Sequence, residues 1–207
     1  VAAKKQNFTI LQGETFQRII RWETQPYIYK PISAITNSAP VSITSVGHGL
    51  VSGWRVAVVS VKGMSEINAK HSPPRESEFK AVTRTSPDVI TLNEVNSADF
   101  SPYISGGYLQ FFTPVDLTGY SAQMDIKDRV GGTVLLTLGS DVLIDPKQRI
   151  VLDMINNTIS LRIEAEDTES DVLMWTRGVY DLEMTSPTGA VTRVFTGNVA
   201  VSKEVTT

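Results

Sequence analysis

The sequence predicts an all-β protein: a sandwich interrupted by a second, inserted β module. Three observations carry this. Apolar and polar residues alternate with a period of two over much of the chain. Turn-forming residues fall between the alternating runs. The composition shifts near residues 31 and 113, becoming rich in Ser, Thr, Gly, Pro and Val between them.

The clearest strands are residues 120–127, 159–164 and 180–185. In the last of these Tyr180, Leu182 and Met184 alternate with Asp181, Glu183 and Thr185. One buried and one wet face explains such a pattern. Runs rich in Val and Ile add strands at 16–22, 56–61, 89–92, 134–138, 150–154 and 191–201. Gly131-Gly132, Pro187-Thr188-Gly189 and Asn156-Asn157 supply the hairpin turns, because Gly and Asn accept positive φ and Pro fixes φ. The one helical candidate is 165–175, acidic at its start, which reads as a short helix or a turn-rich crossover.

The segment before the first composition shift holds two strands, too few to bury a core. Residues 1–31 and 113–207 are therefore expected to form one discontinuous sandwich, with residues 32–112 looped out as the second module.

The 207 residues contain no cysteine, which removes disulfides, thiolate metal sites and cysteine nucleophiles. Nineteen Lys and Arg against 22 Asp and Glu leave no basic footprint for nucleic acid. No apolar run approaches the ~20 residues of a membrane span. Two lysines near the start lack a following apolar stretch, so no signal peptide is expected, and the sequons at Asn7 and Asn156 read as chance matches.

Two stretches carry a resemblance. The outer part reads Gln12-Gly-Glu-Thr-Phe16, then Asp116-Leu-Thr-Gly-Tyr120 ahead of an alternating strand. It closes with Tyr180-Asp-Leu-Glu183 and Gly189-Ala-Val-Thr-Arg193 running to Gly197-Asn-Val-Ala-Val201. This is similar to the N-terminal domain of baseplate upper proteins of tailed phages. The resemblance implies an immunoglobulin-like sandwich serving as an attachment domain. The inner part, with Gly47-His-Gly-Leu50 and Gly63-Met-Ser-Glu-Ile-Asn68, resembles the small barrel-like module of phage tail proteins called FCCH-like after ubiquitin-activating enzyme. That label implies a fold and no ubiquitin chemistry. Residues 71–77 depart from the module's pattern, standing where a compact strand is expected.

The resemblance implies a structural virion protein in the baseplate, tail or tail-fibre attachment region, localised to the particle and assembled in the host cytoplasm. Its expected partners are other phage structural proteins and copies of itself in a ring or trimer, with strand edges and terminal arms (residues 1–12 and 199–207) pairing with neighbours. A neck connector, a capsid decoration protein and a host-surface binding module are the alternatives. No enzymatic activity, cofactor, small-molecule substrate, nucleic acid or membrane contact is expected.

The residues with chemical potential support that expectation. His48, between two glycines, reads as a turn residue whose ring bonds nearby backbone; a metal would need three or four ligands. The run Glu164, Glu166, Asp167, Glu169 and Asp171 lacks the glycine of a calcium loop and reads as a solvated crossover. Asp125, Asp145, Asp153, Asp181 and Glu183 could suggest a glycosidase pair, but Asp125, Asp181 and Glu183 occupy the polar phase of strands. Trp22 and Trp175 are expected in the core. Trp54, beside a glycine turn, is expected at an interface, and Tyr27 and Tyr29 at the junction between the modules.

Overall fold

A computed structural model describes residues 3–203. The chain separates into two compact units: residues up to Trp22 together with those from Pro114 onward, and Glu23–Thr113 between them. The first unit opens with β1 (Lys4–Lys5), β2 (Phe8–Leu11) and β3 (Phe16–Ile20). The second holds β4 (Glu23–Pro31), β5 (Ala34–Thr36), β6 (Val41–Thr44), β7 (Arg55–Lys62), β8 (Lys80–Arg84), β9 (Val89–Leu92) and β10 (Ser105–Pro114). The chain then adds β11 (Ser121–Lys127), β12 (Val134–Gly139), β13 (Ile150–Asp153), β14 (Thr158–Ile163), β15 (Arg177–Thr185) and β16 (Val191–Ser202) to the first unit.

The first unit is all-β. One sheet runs β16-β15-β11-β12, with β1 and β2 both pairing parallel along β16; the other runs β13-β14-β3. In β15, Tyr180, Leu182 and Met184 are buried while Val179, Asp181 and Glu183 are not. They join Ile126, Leu138, Ile159 and Leu161 in one apolar cluster. Full burial of each such side chain stabilises by about 1.5–3 kcal/mol. The hairpin turns carry positive φ at Gly131 (71°), Asn157 (52°) and Gly189 (83°), which the steric freedom of Gly and the tolerance of Asn permit.

Residues 165–175 form the turn-rich crossover and not the short helix. Ala165–Asp167 is a single 3₁₀ turn, after which Leu173 enters the core and Val172 and Met174 stay exposed. Tertiary bonds fix this crossover instead. Gln12 donates from Nε2 to Leu173 O (3.0 Å), and Thr168 donates from Oγ1 to Glu14 O (2.9 Å). Asp167 is not merely solvated: it pairs with Lys147 and, at 3.3 Å, with Arg149.

Asp145 is the hub of this region, with its side chain 1% exposed. It accepts from Arg149 Nη1 (2.8 Å) and from the N–H groups of Lys147 (3.0 Å), Arg149 (3.0 Å) and Gly139 (3.3 Å). Burial by itself raises the carboxyl pKa, but these bonds and the guanidinium charge outweigh it and hold the pKa below the usual range.

The second unit is one seven-stranded sheet in the order β4-β10-β7-β8-β9-β6-β5. Its two end strands are consecutive stretches of chain. Between them Ile32 N–H donates to Gly107 O (3.0 Å) in β10, and Ser33 N–H donates to Thr44 O (2.9 Å) in β6. The sheet therefore curls until its ends meet, around a core that includes Ile43, Leu50, Met64, Ile90, Leu109 and Phe111. Beside this closure Gly107 has φ 92° and a Cβ there would lie 2.4 Å from Val61 Cγ2, so only glycine fits.

The boundary between units lies at Trp22–Glu23 and not at residue 31. Pro26 and Pro31 make this stretch read as a linker, yet proline is tolerated on an edge strand. Here β4 pairs with β10, and Thr113 Oγ1 donates to Pro26 O (2.7 Å).

The N-terminal arm is likewise part of the fold. Lys4–Lys5 and Phe8–Leu11 are strands of the first unit's own sheet, and Val199–Ser202 completes β16. Residues 1–2 and 204–207 of the two expected arms lie outside the described residues.

Candidate functional site

Tyr27 and Tyr29 are two residues apart on β4, so they share one face of the strand. On the neighbouring strand β10, Leu109 and Phe111 point into the core, leaving Tyr108, Gln110 and Phe112 on the opposite face. Phe79 immediately precedes β8. The rings fall into two groups, one of Tyr27, Phe112 and the buried Phe79, the other of Tyr29 and Tyr108. Centroids of Tyr27 and Phe112 are 4.7 Å apart, those of Phe79 and Phe112 5.2 Å, and those of Tyr27 and Phe79 6.3 Å. Tyr29 and Tyr108 meet edge-to-face at 6.3 Å and remain about half exposed, at 52% and 45%. Such pairs contribute beyond their buried area, and half-exposed tyrosines are the side chains enriched at protein interfaces.

Tyr27 thus packs on rings of its own unit. Tyr108, Phe112 and Phe79 are not among the aromatic residues singled out from the sequence. A signal was present: Tyr108-Leu-Gln-Phe-Phe112 is an almost unbroken apolar run, the mark of a strand apolar on both faces.

Trp54 lies elsewhere than expected. It is 8% exposed, in the second unit's core, 6.3 Å from the Phe111 ring. Val82 N–H donates to Trp54 O and Gly53 N–H donates to Val82 O, which draws residue 54 into the sheet ahead of β7 and turns its ring inward. Its ring is buried where exposure was expected. Trp22 and Trp175 pack, partly buried, against the first unit's core.

The strand edge beside the aromatic face is a poor template for another strand. Pro26 and Pro31 have no N–H to donate, and proline on an edge is a recognised block to further pairing. Contact at this face would run through side chains.

His48 is buried, at 1% exposure. Leu50 N–H donates to its Nδ1 (2.9 Å), so Nε2 carries the hydrogen and faces Ser86 O (3.2 Å). Burial lowers its pKa below 6.5, against the opposing pull of the Ser86 carbonyl. The unfolded chain therefore binds the proton more readily than the folded one. The stability that neutral His48 supplies is complete above about pH 6.5 and declines as pH falls below that value. His48→Ala should flatten this slope in melts recorded from pH 7.5 to 5; a variant with an unchanged slope would contradict the assignment.

The carboxylates do not gather into one constellation. Asp125 and Asp181 face each other across β11 and β15, with Arg193 3.3 Å from Asp181 and 4.0 Å from Glu183. Asp145 is enclosed in its clasp, and Asp153 accepts from the N–H groups of Ile155 and Asn156 in a hairpin turn. Among the described residues no group of three or more His, Asp or Glu side chains converges as metal ligands would. No helix among them is long and apolar enough to cross a membrane.

No protein-family model and no curated protein matches the chain.

Proposed function

We propose that the chain is a structural component of a tailed-phage virion, acting in the baseplate, tail or tail-fibre attachment region through protein–protein assembly. The observation that carries the assembly reading is the aromatic face of β4 and β10, where Tyr29 and Tyr108 stay exposed beside Tyr27 and Phe112. The phage reading draws support from the motif segments. Those around Tyr120, Tyr180 and Gly197 lead into or lie on the neighbouring strands β11, β15 and β16 of one sheet. The sandwich serves as the attachment domain and the second unit presents the contact face. Copies of the chain form a ring or trimer, in which symmetry multiplies contacts that are weak singly.

The joint substitution Tyr29→Ser and Tyr108→Ser tests this. Both rings are about half exposed, so the isolated chain should stay folded, its loss of stability confined to about 0.5–1.5 kcal/mol for the ring pair beyond the area it buries. Phage carrying the two changes should incorporate less of the chain, measured by quantitative mass spectrometry of purified particles. Normal incorporation and infectivity would count against this face as the contact.

A further inference from the structure

The three-stranded sheet β13-β14-β3 ends in an unpaired edge on β13 and another on β3. Arg162 N–H donates to Arg149 O (2.8 Å), which fixes the alternation of backbone bonds across this sheet. Arg149, Val151 and Asp153 therefore turn their N–H and C=O toward β14, while Ile150 and Leu152 turn theirs outward. The residues of β14 that face away from β13 are Ile159, Leu161 and Ile163, which pair with Ile20, Arg18 and Phe16. Gln17 and Ile19 are left with their backbone groups outward on the opposite edge. Among the described residues no hydrogen bond engages these outward groups on Gln17, Ile19, Ile150 or Leu152.

The side chains on the outer face follow the same order. Val151, Ser160 and Ile19 stand in one row across the sheet. Val151 is 58% exposed and Ile19 62%, so the row ends in an exposed apolar residue at both edges. The edges of the other sheet are blunted by comparison. One is formed by the short strands β1 and β2 and opens with Lys4 and Lys5. The other, β12, skips Leu135 in its pairing with β11, and Asp145 already accepts from its Gly139 N–H. Short strands, lysines, bulges and capped groups are the devices that keep an edge from pairing.

We propose that β3 of one copy of the chain pairs in parallel with β13 of the next, joining copies edge to edge in one continuous sheet. In a parallel pair, a residue with outward groups bonds the two residues that flank its partner. Ile19 set opposite Val151 of the next copy does this. Its N–H donates to the carbonyl of Ile150 and its carbonyl accepts from the N–H of Leu152, while the carbonyl of Gln17 accepts from the N–H of Ile150. A slip of one residue loses these bonds, because the flanking groups then face β14. The same register packs Ile19 on Val151 and sets Ile20 beside Leu152. It places Ile150, and no charge, opposite Arg18. One position beyond β3, Arg21 falls opposite Asp153, a cation against a carboxylate. Pairing β3 with a second β3 about Arg18 would instead set two like charges against each other. The contact joins two different edges, so it repeats from copy to copy as a ring requires. It rests on the assembly reading and names the edges through which copies meet.

The chain has no cysteine, which makes thiol crosslinking a clean test. Ile19→Cys and Val151→Cys both replace exposed side chains, and unchanged thermal melts of each variant report an intact fold. Opposed positions lie about 5 Å apart across paired strands and about 10 Å apart within one copy, where β14 intervenes, so a short bifunctional thiol reagent reads only contacts between copies. With the two single variants of the full chain mixed at about 1 mM, links between positions 19 and 151 should outnumber 19–19 and 151–151 links about tenfold. The double variant should give a ladder of linked copies that stops at the size of the ring, in the isolated chain and in purified phage particles alike. Absence of 19–151 links from both samples would overturn the proposal, as would 19–19 links in equal number. Particles that lack the chain would overturn the assembly reading alone, since the isolated chain still reports on the strand pairing.

Discussion

Asp145→Ala should destabilise the first unit by about 3–4 kcal/mol, because it strands three backbone donors at once and leaves a mostly buried guanidinium with Asp167 as its one remaining carboxylate. In the parent one carboxylate accepts from Arg149 Nη1 and from the N–H groups of Gly139, Lys147 and Arg149. Arg149 is itself only 14% exposed, so water cannot readily replace the lost partner. Its second partner, Asp167, anchors the crossover that leads into β15, so damage should spread there. Denaturant unfolding gives the magnitude. Hydrogen exchange gives the place, with protection lost around residues 139–149 and 165–173. Asp167→Ala should cost less, since Asp145 still matches Arg149. Both carboxyls sit below their usual pKa. Their contribution is therefore present above about pH 3.8 and is lost as pH falls through the lowered folded values. An Asp145→Ala change within about 0.5 kcal/mol of the parent, the range of an ordinary surface site, would refute the clasp.

Gly197→Ala should release the N-terminal strand. β1 and β2 form one parallel edge along β16, interrupted at Gln6–Asn7, and the interruption lies directly over Gly197. A Cβ there would sit 1.9 Å from Gln6 O and 2.7 Å from Gln6 C, both backbone atoms that no rotamer change can move. The same carbonyl accepts from the buried Tyr180 hydroxyl at 2.9 Å, and Asn7 Oδ1 accepts from Asn198 N–H at 3.0 Å. One added methyl therefore disturbs the strand path and both bonds. The expected loss is about 3 kcal/mol, at the upper end of overpacking costs. Amide protection should collapse at residues 4–11, and less so in β11 and β12. Unchanged protection at 4–11 would show that the N-terminal strand does not depend on this close approach.

Much of the fold is written in strand periodicity. β11, β14 and β15 are buried on one face and alternate cleanly, so a period of two is enough to find them. β4 and β10 escape that rule for opposite reasons. Pro26 and Pro31 disguise an edge strand as a linker, and β10 is apolar on both faces. Their partnership moves the unit boundary from residue 31 to residue 22. The candidate site was half visible. Tyr27 and Tyr29 stood out as an aromatic pair, whereas Tyr108, Phe112 and Phe79 join them only through strand pairing some 50–85 positions away in sequence. Trp54 misled because a glycine turn suggests exposure, while a pair of backbone bonds to Val82 turns the ring inward. The Asp145 clasp has no sequence signature, since its members sit in aperiodic loops and converge only after the two sheets pack.

We propose that the chain works by assembly within a particle. Cryo-electron microscopy of phage particles that carry it tests this most directly. Density for the chain is expected at a fixed, symmetric copy number in the tail or baseplate, with the face around Tyr29 and Tyr108 covered by a neighbouring subunit. Particles that are complete and infective without the chain would contradict it, as would its presence in the particle with that face open to solvent.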